Sequence, residues 1–219
     1  MLFKNNYLHC LILVLLALLL IYEYNNFIQT DKIWVQNYSD KYTQETISRI
    51  LNMRHYQLWV SYIFVPISMF FSGIFVALVI LFVIWIYYLD EANFNIKYSD
   101  TWRIVLFAQW SSIAATFAKI VWFGYIHTNY TLDELFSFYP LSIINFLDIK
   151  KLAIWFLYPI QLMNVFELVY WAILVVGIKK LLNRTWLKSL EIVFLSYGVI
   201  LLVWVIVIMF IILNLSNSI

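Results

Sequence analysis

Long apolar runs separated by short polar segments form the dominant pattern along this chain. The five longest runs cover residues 7–22, 58–89, 104–126, 152–178 and 192–213. A helix needs about 20 apolar residues to cross a bilayer, so even the shortest run approaches that length. Apolar and polar positions do not alternate within the runs, which excludes membrane-spanning strands. The pattern predicts a single all-α domain over residues 1–219, a polytopic membrane bundle of five transmembrane helices.

The first run resembles a signal peptide in its length and in the basic residue Lys4 that precedes it. A signal peptide, however, needs small residues at its cleavage site. Residues 21–26, where the run ends, are bulky or polar. We therefore expect this run to stay in the protein as an uncleaved membrane anchor.

The second run is longer than one simple span requires. Its 32 residues would reach about 48 Å as a helix, at roughly 1.5 Å per residue, whereas the hydrocarbon core is about 30 Å thick. Pro66 offers a position for a bend because it cannot donate a backbone hydrogen bond. We expect this helix to tilt, or to kink near Pro66.

The positions of Lys and Arg residues predict the orientation of the bundle. Residues 179–188, between the fourth and fifth runs, carry four cations and no acidic residue, so we place them in the cytoplasm. Alternation then puts the amino terminus inside and the carboxyl terminus outside. The bias is small, with seven cations inside against six outside: Lys4, Lys97, Arg103, Lys179, Lys180, Arg184 and Lys188 against Lys32, Lys41, Arg49, Arg54, Lys150 and Lys151.

The outside segment between the first two runs contains an amphipathic pattern at residues 44–60. Four apolar side chains share one helical face and three polar ones lie opposite: Ile47, Ile50, Leu51 and Leu58 against Glu45, Arg49 and His55. This pattern predicts a helix on the membrane surface that continues into the second span. A comparable pattern at residues 140–151 precedes the fourth run. Both are expected to be packing or interfacial elements.

The composition supports a membrane protein. Of the 219 residues, 64% are hydrophobic and 12% are charged, and the mean hydropathy is +0.86; a soluble domain has about 25% charged residues. These values exclude a soluble globular protein, a disordered chain and a nucleic-acid-binding protein, which would need a basic face. The net charge of +2 indicates no acidic partner, and the single Cys10 excludes an internal disulfide.

Two ionisable residues, Lys119 and Glu167, lie inside the predicted spans. Such residues are candidates for function because each costs about 2.5–3.5 kcal/mol to insert. Three interpretations remain open: satisfaction by local hydrogen bonds or by reaching to the headgroups, a tie between the two helices, or a transport or proton-relay role. Three further polar residues in the spans extend the set: Gln109, Gln161 and Asn164.

Two other groups of residues are candidates for interactions. Small residues four positions apart let a second helix approach closely, and the third run contains two such pairs: Ser111 with Ala115, and Ala114 with Ala118. The basic segment is expected to hold anionic lipid headgroups at roughly 1 kcal/mol per charge, through four side chains: Lys179, Lys180, Arg184 and Lys188.

Catalytic and cofactor motifs are missing from the sequence. No HExxH or GxSxG pattern and no phosphate-binding loop occurs. His55 and His127 could share a metal with Asp133 and Glu134, but no spacing supports such a site. His9 and Cys10 are adjacent, and adjacent helical residues point in different directions. We therefore expect no enzyme activity, no cofactor and no metal site.

The later part of the chain resembles the Yip family of bacterial membrane proteins. The resemblance covers about residues 58–213 and is carried by two segments, NIKYSDTWRIVLFAQWSSIAATFAKIVWFGY and FELVYWAILVVGIKKLLNRTWLKSLEIVFLSYGVILLV. It implies five spans, a cytoplasmic amino end and an exterior carboxyl end; the family is named for eukaryotic members that interact with Rab-type GTPases. The usual proline near the start of the third span is replaced by Ser111-Ser112, and only six residues precede the first run.

These observations lead to one expected role and one alternative. The chain is expected to be a non-enzymatic, Yip-like protein of a bacterial cytoplasmic membrane, acting as a scaffold, an assembly or trafficking factor, or an accessory subunit. Its expected partners are the lipid bilayer, anionic headgroups, and a membrane protein or a second copy of the chain. The alternative is a small transporter or channel subunit that uses the intramembrane polar residues.

Overall fold

A computed structural model describes residues 6–88, 96–148 and 151–216 of the chain. These residues are largely helical, and they form no β-strand. Several positions used in the sequence predictions lie outside the described residues: Lys4, Leu89, Lys150 and residues 217–219.

The described residues contain ten α-helices, with three π-helical segments and one 3-10 turn between them. The helices are α1 (Asn6–Glu23), α2 (Asp31–Tyr38), α3 (Gln44–Tyr87), α4 (Tyr98–Ala108), α5 (Trp110–Val121), α6 (Leu132–Ser137), α7 (Ile154–Leu162), α8 (Val165–Leu182), α9 (Trp186–Val193) and α10 (Val199–Ser216). The π-helical segments are Tyr24–Ile28, Trp122–Ile126 and Phe194–Gly198, and the 3-10 turn is Ile143–Phe146.

Four helical stretches are long and apolar enough to cross a membrane. They are Asn6–Ile28, Gln44–Tyr87, Tyr98–Ile126 and Trp186–Leu215. They overlap the first, second, third and fifth predicted runs and begin before each of them. The chain is thus an all-helical protein with several apolar helices, as expected of a membrane-integral bundle.

The fourth predicted run is where the structure differs from the sequence pattern. Residues 152–178 do not form one helix, because α7 ends at Leu162 and α8 begins at Val165. Asn164 lies at the break, where it adopts an extended backbone and its side chain accepts a hydrogen bond from the backbone of α8. The three charged residues of α8 (Glu167, Lys179 and Lys180) fall within only 18 residues, whereas each of the four apolar stretches contains an 18-residue segment with no more than two.

Helix α3 runs for 44 residues and passes through Pro66 without ending. At about 1.5 Å per residue it is roughly 66 Å long, about twice the thickness of a hydrocarbon core. Its first part contains the predicted amphipathic segment, and Ile47 from the apolar face of that segment is buried. A position on the membrane surface stays a prediction. In residues 140–148, the part of the second amphipathic pattern that is described without a gap, the structure has the short 3-10 turn Ile143–Phe146 and no α-helix.

The core lies where α3, α4, α8 and α9 meet. Its fully buried side chains are apolar and include Ala77, Ile80, Ile84, Val105, Leu174, Ile178, Ile192 and Val193. Gly177 allows α4 and α8 to pack closely, because a Cβ atom there would lie 2.5 Å from Ile104 Cγ2. A second, smaller cluster joins the ends of the first and third stretches to α6, through Ile28, Phe123, Leu132 and Leu135.

Candidate functional site

Glu167 lies in the first turn of α8, where two aromatic side chains bind its carboxylate. The Trp171 indole N–H donates to Oε1 at 3.0 Å, and the Tyr197 hydroxyl donates to the same oxygen at 2.8 Å. Tyr197 belongs to the π-helical segment that precedes α10. The carboxylate therefore joins α8 to the last apolar stretch, by hydrogen bonds and without a cation.

Asn164 is the N-cap of α8 and explains the position of Glu167. Its Oδ1 atom accepts a hydrogen bond from the Glu167 backbone N–H at 2.8 Å. Asparagine is a favoured N-cap residue, because its side-chain oxygen accepts a hydrogen bond from a backbone N–H that the first turn leaves unpaired. The spacing Asn164-Val-Phe-Glu167 is visible in the sequence. It could have predicted the helix start inside the fourth run.

The segment that precedes α7 forms hydrogen bonds with the backbone at the break between α7 and α8. Ile143 N–H donates to the Met163 carbonyl at 3.1 Å, and Val165 N–H donates to the Leu141 carbonyl at 3.2 Å. The buried Ser142 hydroxyl donates to the Ile160 carbonyl at 3.1 Å. Irregular backbone at membrane depth is tolerated where protein satisfies its polar groups. Here the chain itself supplies those hydrogen bonds.

Gln109 and Gln161 also bond within the chain. Gln109 is buried at the turn between α4 and α5, and its Nε2 donates to the Met69 carbonyl of α3 at 2.9 Å. The Gln161 side-chain Nε2 makes a longer contact of 3.5 Å with the Ser137 backbone carbonyl. The backbone carbonyl of Gln161 accepts a hydrogen bond from Asn164 Nδ2 at 2.9 Å. The predicted polar residues thus occupy helix ends and breaks, and they do not converge on one pocket.

Lys119 forms no ion pair with Glu167. Its ammonium sits 5.8 Å from the centre of the Tyr24 ring. Its side chain lines a cavity of about 170 Å³ together with Ala115, Thr116, Tyr139 and Pro140. Neither Lys119 nor Glu167 takes part in an ion pair within 4.0 Å among the described residues. The tie between them that was one interpretation of the sequence is not formed.

The two small-residue pairs of α5 point in different directions. Ser111 and Ala115 are buried, and α5 packs against α1 and α8. Ala114 is exposed and Ala118 is half-buried. One pair is therefore used inside the bundle, and the other remains on its outer surface.

The basic segment is mostly helical and lined with aromatic rings. Lys179 lies 4.1 Å from the Trp186 ring centre and Lys188 lies 3.9 Å from that of Tyr87. Arg184 is in the turn between α8 and α9, with its guanidinium 5.1 Å from the Tyr88 ring centre. That turn is short because Asn183 takes the left-handed conformation (φ 51°) that ends many helices. Lys180 points instead into a groove beside α4.

The three histidines lie in separate environments. His9 is buried and accepts a hydrogen bond from the Trp110 indole N–H at 2.7 Å. His55 contacts Asp31 at 3.1 Å, and His127 lies 3.7 Å from Glu134. No group of three His, Cys, Asp or Glu side chains that could hold a metal ion occurs in the part of the chain that the structure describes.

Arg54 is a buried cation that the sequence analysis assigned to an outside loop. Only 5% of its side chain is exposed, and it pairs with Asp31 and donates to the backbone carbonyls of Asn25 and Gln29. Its position seven residues after Ile47 places it on the apolar face of the amphipathic segment. That spacing was the signal in the sequence.

Comparisons with known proteins identify no relative. No family model, curated protein or solved structure matches the chain. Its relationship to the Yip family therefore stays a prediction.

Proposed function

We propose that this chain is a non-enzymatic membrane protein that acts as a scaffold, an assembly or trafficking factor, or an accessory subunit of a membrane complex. The observation that carries the proposal is the way Glu167 is bound by Trp171 and Tyr197. A carboxylate held by two donors from the chain's own helices stabilises the bundle.

The outer pair Ala114 and Ala118 supplies the surface for a partner. Small residues four apart allow close backbone approach, which drives association between membrane helices through packing. The neighbouring Phe117 is 57% exposed and adds an aromatic contact. The partner is a transmembrane helix, either of another protein or of a second copy of the chain.

Substitution of the outer pair tests this role. The tagged double variant Ala114→Leu/Ala118→Leu is expected to lose the proteins or the second copy that purify with the wild type from native membranes. Val203→Leu is the control, because Val203 of α10 is 52% exposed and apolar but has no small-residue pair. Equal recovery of every co-purifying protein with both variants would reject the proposed surface.

A small transporter or channel subunit is the second candidate. It is favoured by the cavity of about 170 Å³ at Lys119 and by the break between α7 and α8, since broken helices form binding sites in transporters. The test is to replace Lys119 by Leu and Glu167 by Leu. If the variants remain folded and the biological function survives, the transport role is lost; if Lys119→Leu alone abolishes it in a folded protein, the scaffold role is rejected.

The proposed location is a bacterial cytoplasmic membrane, with the amino terminus inside and the carboxyl terminus outside. The basic segment would then face the cytoplasm and hold anionic headgroups. Single cysteines, introduced into a chain whose Cys10 is replaced by Ser, test the orientation. A cysteine at Leu187, whose side chain is 80% exposed, should be labelled only after the membrane is permeabilised, and one at the exposed Asn129 should be labelled in intact cells.

A further inference from the structure

We propose that the groove between α4 and α8 binds one anionic phospholipid, with its phosphate at Arg103 and Lys180 and an acyl chain along the apolar walls. The inference rests on the proposed membrane insertion. It does not depend on the protein partner, since its test uses the purified chain alone.

The groove has the volume and the lining of a lipid site. It encloses about 750 Å³. Its walls are apolar side chains of two helices, among them Ile104 and Phe107 of α4, and Val169, Ala172 and Val176 of α8. One end of the groove is charged, and Asp100, Arg103 and Lys180 line that end. An apolar cleft with charge at one end matches the amphipathic form of a phospholipid.

Both cations lie at the same end of the groove. Gly177 and Ile104 lie at the same level, because a Cβ on Gly177 would meet the Ile104 side chain. Lys180 is three residues beyond Gly177, near the end of α8. Arg103 is one residue before Ile104, towards the start of the antiparallel helix α4. The charged end is therefore the one that the basic segment also occupies.

The length of the groove matches one leaflet of a bilayer. The wall on α8 runs from Lys180 to Val169, eleven residues that span about 16 Å at roughly 1.5 Å per residue. Half of a hydrocarbon core of about 30 Å is 15 Å. A lipid whose headgroup sits at Lys180 would therefore reach the middle of the bilayer with its acyl chain at Val169.

The charged end selects an anionic headgroup. Among the described residues, neither Arg103 nor Lys180 has a carboxylate within the ion-pair distance of 4.0 Å. The Asp100 carboxylate already accepts a hydrogen bond from the Lys97 backbone N–H at 3.3 Å, at the start of α4. Two cations and one carboxylate leave a net positive end, which favours phosphatidylglycerol over a neutral phospholipid.

The adjacent lysine provides a matched control. Lys179 is on the same turn of α8 as Lys180 but lies over the Trp186 ring, outside the groove. Purified protein is examined by native mass spectrometry with phosphatidylglycerol, phosphatidylethanolamine or phosphatidylcholine added. One phosphatidylglycerol should stay bound, and Lys180→Gln should weaken its retention by about fivefold, as expected for one charge. Lys180→Arg should restore the retention. Lys179→Gln should weaken it clearly less than Lys180→Gln does, because Lys179 belongs to the basic segment but lies outside the groove.

A second pair of variants tests the apolar walls. Ala172→Phe fills the groove and should reduce lipid retention with the charges intact, whereas Leu168→Phe, on an α8 position outside the groove, should not. Three outcomes would overturn the proposal: equal loss with Lys179→Gln, equal retention of phosphatidylethanolamine or phosphatidylcholine, or full retention by Ala172→Phe. A dimer that Ala172→Phe abolishes, with no lipid bound to the wild type, would also overturn it.

Discussion

Glu167 shows what a single charged residue can contribute inside an apolar bundle. Its carboxylate accepts hydrogen bonds from Trp171 and Tyr197, while its backbone N–H is capped by Asn164. Removal of the carboxylate leaves two half-buried donors without their acceptor, and an unsatisfied buried donor costs about 1–3 kcal/mol. Stability is therefore expected to depend on the identity of this residue.

At this position we expect Glu167→Leu to lower the free energy of unfolding by about 2 kcal/mol, and Glu167→Gln to cost less because an amide oxygen still accepts a hydrogen bond. Unfolding in detergent, followed by circular dichroism, measures both. Glu45→Gln serves as the control, since the Glu45 side chain is 76% exposed and only pairs with Arg49. Equal stability of Glu167→Leu and the wild type would contradict the assigned role.

Arg54 permits a comparison of two arginines on one helix. Arg54 is 5% exposed and bonds to Asp31 and two backbone carbonyls, whereas Arg49 is 71% exposed. We expect Arg54→Met to destabilise the protein by about 2 kcal/mol, because hydrogen bonds to a charged group contribute about 1.5–3 kcal/mol. Arg49→Met should change it by less than about 0.5 kcal/mol. Thermal unfolding of the two variants side by side provides the measurement.

At the scale of elements, the sequence pattern predicts the long apolar helices, because these depend on local composition. The four long apolar stretches follow from run length, because a helix of some 20 apolar residues needs no distant contact to be recognised. The break between α7 and α8 depends on Ser142 and the residues around it, which reach Met163 only in the folded chain. The Asn164–Glu167 spacing could have indicated the helix start, but the place of Gln109 at the turn between α4 and α5 could not be predicted from the sequence.

The cap of α8 gives an element-scale expectation. Asn164→Ala removes the acceptor for the Glu167 N–H and should cost about 1 kcal/mol, the usual value for an N-cap. Asn164→Asp retains an acceptor and should recover most of that loss. Amide exchange at the first turn of α8 distinguishes a local effect from general destabilisation. Unchanged exchange at Glu167 in the alanine variant would contradict the cap.

Helix α6 should respond to acid. The Thr131 backbone N–H donates to Glu134 at 2.9 Å and holds the pKa of that carboxyl below its usual value, with His127 nearby adding to the effect. A lowered folded-state pKa means that this contribution is fully present above the unfolded pKa of about 4.3 and is lost as the pH falls through the lower folded value. The Thr131 amide resonance in NMR spectra should report the titration, and Glu134→Gln should remove it.

At the scale of the whole molecule, close packing between helices is set by single glycines. A Cβ on Gly177 would lie within 2.9 Å of two atoms of Ile104, a β-branched residue with little freedom to move. A Cβ on Gly124 would meet only Ile28 Cδ1, at 3.6 Å. We expect Gly177→Ala to destabilise the bundle and lower its melting temperature, and Gly124→Ala to be neutral or slightly stabilising. A lower melting temperature for Gly124→Ala than for Gly177→Ala would reverse the assignment.

Helix α3 is fastened at two distant points. Arg54 bonds to Asp31 near one end, and the Tyr87 hydroxyl donates to Glu191 at 2.5 Å at the other. The 33 residues between them span about 50 Å, slightly more than a bilayer with its headgroup regions, about 40–45 Å. Because α3 is bonded to the rest of the chain near both ends, a thinner membrane would be accommodated by tilting of the helix. With the proposed membrane insertion, the tilt of this helix would therefore depend on the thickness of the surrounding bilayer.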